Sequence, residues 1–110
     1  MKKLIAVTLI FLPLFGLWGC SAPEAPPQLI ELTVTDPPSP EKRVEIALGA
    51  EVTLRITTPT DDAVHVHGYE LEQELTADSP TDLTFKASMA GTFEVESHVT
   101  DSVWLVLVVS

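Results

Sequence analysis

The chain has 110 residues, a length that suits one domain. Sixteen acidic residues against six basic ones give a formal charge of −10. Such a surface repels phosphate backbones and argues against nucleic acid as a partner, and the single cysteine cannot form an internal disulfide.

The first 20 residues read as an export signal. "MKK" is a short basic start, "LIAVTLIFLPLFGLW" is an apolar run, and Gly19-Cys20 closes it. The run from Leu4 to Trp18 is short of the roughly 20 apolar residues a membrane helix needs. Its end, "LWGC", resembles the lipobox of bacterial lipoproteins, with Leu17, Gly19 and Cys20 in the matching places. The resemblance implies cleavage after Gly19, a lipid on Cys20 and an extracytoplasmic domain anchored to a bacterial membrane rather than spanning it. Ser21 resembles the default for the outer membrane in a Gram-negative cell. Residues 1–19 are thus expected to be signal, and 20–28 a lipidated cysteine with the proline-rich tether "SAPEAPPQ". Residues 29–110 are left for the fold. Without Lys2 and Lys3, 4 basic residues face 16 acidic ones, a formal charge of −12. That charge holds the domain off anionic head groups and draws cations toward it.

From Gln28 onward the apolar residues recur with period two. "QLIELTVT" aligns Ile30, Leu32 and Val34, and "DPPSPEK" is a loop because its prolines do not fit a central strand. "RVEIAL" aligns Val44, Ile46 and Leu48, the chain turns at Gly49, and "EVTLRIT" aligns Val52, Leu54 and Ile56. After the loop "TPTDD" comes "AVHVHGYELEQEL", Ala63 to Leu75, expected as one strand. Then follow the loop "TADSPTD", "LTFKA" with Leu83 and Phe85 in phase, a turn at "SMAG", and "TFEVES" with Phe93, Val95 and Ser97 in phase. "VWLVLVV" is apolar throughout, as in a strand buried on both faces, and Trp104 in it reads as core. No helical stripe follows residue 20. About seven short strands separated by turns predict an all-β sandwich or barrel.

Two of the three histidines, His65 and His67, share one face of "AVHVHGYELEQEL". Val64 and Val66 as core would send them to solvent, whereas Tyr69 and Leu71 as core would turn them inward. Gly68, at the join, is a candidate bulge that would switch the phase. Both arrangements stand on sequence alone. His98 has the parity of Glu94 and Glu96, opposite Ser97. If all three histidines face out, Glu96 becomes a candidate oxygen ligand beside them.

The order of parts resembles the cupredoxin superfamily. The matching pieces are the glycine hairpin "IALGAEVTLRI", the histidine-bearing "HVHGYEL", and "GTFEVESH" leading toward a metal-binding loop. The resemblance spans Ile30 to Val109 and implies an antiparallel or mixed Greek-key β-sandwich of about seven strands. It sets His67 where the family has its first copper histidine, and Ser97 where it has its thiolate cysteine. No methionine or further histidine follows in "HVTDS", and Met89 precedes Gly91. Blue-copper electron transfer needs a thiolate with two histidines, so it is not expected here. Copper or another divalent metal held through His65, His67 and His98 is the first expectation, since imidazole suits Cu(II) and Zn(II). The other is a metal-free module of the same fold that binds a protein or cell-envelope partner. An enzyme is not expected. Ser97 and His98 are adjacent on a strand and point apart, Glu70, Glu72 and Glu74 read as a solvated side, and there is no glycine-rich phosphate loop.

Overall fold

The computed structural model describes residues 25–110. The expected signal 1–19, the lipid site Cys20 and the first part of the tether lie outside the described residues. Eight strands follow: β1 Gln28–Thr33, β2 Lys42–Ile46, β3 Glu51–Thr57, β4 Asp62–Val66, β5 Leu71–Leu75, β6 Thr81–Lys86, β7 Gly91–Ser97 and β8 Val103–Val109. They form two sheets, one in the order β1-β3-β6 and one in the order β2-β8-β7-β4-β5. Both are mixed, because β1 runs parallel to β3 and β2 parallel to β8, while the remaining pairs are antiparallel.

The period-two pattern explains why the sheets stack. Val52, Leu54 and Ile56 point from the smaller sheet to the interior and are fully buried. Val64, Val66, Val95, Leu105, Leu107 and Val109 meet them from the larger sheet in one continuous core. Ile30, Leu32 and Val34 extend that face along β1 and the residue after it. β8 lies between β2 and β7. It buries Val106 on its outer side as well as Leu105 and Leu107 on its inner one, as its unbroken apolar run implies. Trp104 joins the core. β1 begins at Gln28, whose side chain donates to Glu45 O at 3.2 Å and accepts from Ala47 N at 2.9 Å. Ala25, in the expected tether, packs on the core edge.

Two expectations need correction. "AVHVHGYELEQEL" is not one strand but a hairpin, β4 and β5, closed between Val66 and Leu71. Gly68 marks neither a bulge nor a continuous strand: it sits in the four-residue turn His67–Glu70 with φ +93°. A positive φ of this kind suits a residue without Cβ. Each arm therefore has its own phase, with Val64, Val66 and Leu75 buried and Glu72 and Glu74 exposed. The hairpin also supplies the eighth strand. The other correction is Leu48, which stands 49% exposed. β2 ends at Ile46, and the Leu48 N–H bonds to Ser110 O at 3.0 Å in the turn that follows, so the alternation stops before Leu48.

Candidate metal centre

β4 and β7 pair antiparallel, with Val64 opposite Ser97, His65 opposite Glu96 and Val66 opposite Val95. Alternation sends Val64, Val66, Val95 and Ser97 inward, and His65 and Glu96 outward. The outward arrangement of the histidines is the one the fold adopts. The turn begins at His67, whose N–H bonds to Glu94 O at 2.8 Å, and the His98 N–H bonds to Ala63 O at 2.7 Å. These contacts extend the β4–β7 pairing beyond both strand ends. β5 adds Glu72 opposite His65 and Glu74 opposite Ala63. The outer face of the larger sheet thus gathers all three histidines among glutamates.

His65 is the centre of this cluster and only 15% of its side chain is exposed. Its Nδ1 lies 3.3 Å from Glu96 Oε1, and its Nε2 lies 3.5 Å from Glu70 Oε2. His67 Nδ1 approaches the same Glu96 Oε1 at 3.5 Å. The hydrogen bond accepted by the Glu96 carboxylate holds the His65 imidazole above its usual pKa; partial desolvation opposes this, and Glu70 adds to it. The same bond from His65 holds the Glu96 carboxyl below the usual carboxylate range, with His67 contributing and desolvation opposing. Ligand atoms of His65, His67 and Glu96 all lie within 4.8 Å of one another. Tetrahedral bonds of about 2.0–2.1 Å to nitrogen and oxygen place donors about 3.3 Å apart. Small side-chain rotations therefore suffice to close these three donors on one ion. Two imidazoles and a carboxylate form a borderline donor set that suits Cu(II) and Zn(II) better than Cu(I).

His98 completes the histidine set in space but not around Glu96. Its ring centre is 6.3 Å from that of His65, and its Nδ1 is 3.3 Å from Glu72 Oε1. The site therefore joins the outward residues His65, His67 and Glu96, with His98 beside them. Glu96 was legible as a conditional ligand through its parity. Glu70 and Glu72 were read as solvated side chains, and only the hairpin brings them to the histidines.

The interior place that the resemblance gives to a thiolate has a different chemistry. Ser97 is fully buried. Its Oγ donates to Asp62 Oδ1 at 2.7 Å and accepts the N–H groups of Val99 and Thr100 at 3.2 and 3.0 Å. It locks the loop between β7 and β8. His67, expected at the first copper position beside it, lies instead in the β4–β5 turn with 65% of its side chain exposed.

No family model matches the sequence, and no curated protein matches it. Solved structures do match the fold. One is a copper binding protein in its apo form, with TM-score 0.62 and 13% identity over 82% of this chain and 100% of that one. Fet3p, a multicopper oxidase that functions in iron import, gives 0.61 at 13% identity over 76% of this chain, which spans 23% of the oxidase chain. The periplasmic domain of subunit II of cytochrome oxidase (CoxB) of Bradyrhizobium japonicum gives 0.57 at 10% identity, covering 74% of this chain and 83% of that one. At such identities the likeness defines architecture: this is a cupredoxin-like β-sandwich.

Proposed function

We propose that this chain is an extracytoplasmic, lipid-anchored cupredoxin-like module that holds copper as Cu(II), or a similar divalent ion, on the outer face of its larger sheet. The observation that carries the reading is the convergence of His65, His67 and Glu96, with donor atoms within 4.8 Å of one another. The structural likeness to a copper binding protein and to copper oxidase domains supports copper as the ion, and the likeness to a periplasmic domain supports the compartment. The role is capture or buffering rather than electron transfer or catalysis. A set of imidazole and carboxylate lacks the thiolate that blue-copper chemistry requires, and Ser97 Oγ is committed to three hydrogen bonds.

The test is a Cu(II) and Zn(II) titration of the full chain in detergent, beside His67→Ala and Glu96→Gln. Loss of a direct ligand should weaken binding by more than the roughly 10- to 100-fold typical of outer-shell losses. Equal, weak binding by wild type and both variants would refute the site and favour the metal-free, partner-binding alternative.

A further inference from the structure

The outer face carries more donors than one ion uses. His65, His67 and Glu96 offer donors for one ion. His98 Nδ1 and Glu72 Oε1, 3.3 Å apart, form a second imidazole–carboxylate pair. The pair reaches across β4 beside His65: Glu72 is the β5 partner of His65, and His98 follows β7, where its N–H bonds to Ala63 O, whereas Glu96 is the β7 partner of His65. His65 presents one ring nitrogen to Glu96 and the other to Glu70. Its two nitrogens therefore face two different carboxylates, and the His98 ring lies beside it with centres 6.3 Å apart.

Charge favours the same conclusion. Glu70, Glu72, Glu74, Glu94 and Glu96 surround the histidines on three adjoining segments. Their formal charge of −5 is reduced to −3 by one divalent cation and to −1 by two. A second cation thus still enters a negative field, which offsets the repulsion from the first. We propose that this face binds two divalent cations side by side, the first at His65, His67 and Glu96 and the second at His98 and Glu72. The proposal rests on the single-ion reading above and extends it. Water fills the remaining positions of the second ion, whose two protein donors are 61% and 57% exposed. The second ion is therefore the weaker and more exchangeable one.

Two variants separate the stations. His98→Ala and Glu72→Gln alter exposed side chains, so the fold should tolerate both. The full chain in detergent, stripped with a chelator, is titrated with Cu(II) by calorimetry and followed by electron paramagnetic resonance. The expected result is two equivalents for wild type, with the spectrum broadened by dipolar coupling as the second ion enters. Each variant should keep the first equivalent and its narrow single-ion spectrum, and lose the second. One equivalent in wild type, unaffected by either variant, overturns the second station and leaves the first intact. One equivalent that His98→Ala weakens also overturns it, because His98 then completes the first ion instead. Absence of any stoichiometric binding overturns both readings together.

Discussion

Gly68 sets the hairpin that carries the site, and its replacement by alanine tests that claim. Two separate penalties follow from the structure. The backbone at φ +93° is one that L side chains rarely adopt, and a left-handed conformation costs about 1–2 kcal/mol. The added Cβ would also lie 2.5 Å from Phe93 Cδ1 and 2.8 Å from Cε1. That ring cannot yield freely. Tyr69 packs on it with ring centres 4.6 Å apart, and Tyr69 is itself tied to Met89 O at 2.8 Å. Overpacking of this kind costs about 1–3 kcal/mol, so Gly68→Ala should lose about 2–5 kcal/mol in all. Gly49→Ala is the internal control. Its φ of +89° is similar, but nothing lies within 4 Å of its added Cβ, so only the backbone cost of about 1–2 kcal/mol applies. Urea unfolding gives both values from the midpoint and slope. Phe93→Val deletes the clashing ring atoms, so the double variant should be more stable than the two single losses predict, by about 1 kcal/mol or more. Equal costs at Gly68 and Gly49, together with strict additivity at Phe93, would refute the reasoning.

Three further expectations can be checked. Ser97→Cys should bind no copper with blue-copper colour, because His65 faces the opposite side of the sheet from residue 97 and His67 lies in the exposed turn; an intense visible charge-transfer band on adding Cu(II) would contradict this. Arg55 donates to both carboxylate oxygens of Asp82, at 2.8 and 3.0 Å, and these bonds hold the Asp82 pKa below its usual value. A depressed carboxylate contributes stability above the ordinary aspartate pKa of about 3.9 and loses it as pH falls through the folded value. The stability gap between wild type and Asp82→Asn should therefore be largest near neutral pH and close in acid, whereas a gap constant down to strongly acidic pH would remove the pair as its cause. Cys20→Ser should abolish incorporation of labelled palmitate and release the protein from the membrane fraction; unchanged labelling would place the lipid elsewhere.

The sandwich was legible because buried strands impose a period of two. Val52, Leu54 and Ile56, or Phe93, Val95 and Ser97, announce their faces without help from distant residues. The hairpin was not legible for a related reason. Tyr69 has the parity of Leu71, and "VHVHGYEL" offers Gly68 alone as a turn residue, with no proline, asparagine or aspartate beside it. Tyr69 is half-buried from within the turn, where its ring covers Phe85 and Phe93, so its apolar character mimics a strand position. Leu48 misled in the opposite sense, since alternation runs past Ile46 into residues that pairing had already released. Periodicity reports which residues share a face while a strand lasts, and carries little information about where the strand stops.

The same alternation locates the site relative to the one the resemblance implies. An interior copper would use the inward place at Ser97, on β7. Its chain neighbours Glu96 and His98 face out by one step of the pleat, as does His65, the cross-strand partner of Glu96 on β4. The outer cluster thus uses β4 and β7 one residue out of phase with that inward place. The interior position can then be given to loop closure by the Ser97–Asp62 bond without removing the candidate metal ligands from the sheet. The shift changes the chemistry as well as the place. An interior ion is dehydrated and fixed by packing, whereas a cation held on the outer face beside His67, 65% exposed, and His98, 61% exposed, would keep open positions for water and for exchange. A site on the outer face, with half-buried His65 and Glu96 and exposed His67, would suit taking up and handing over a cation, and not holding one through a redox cycle.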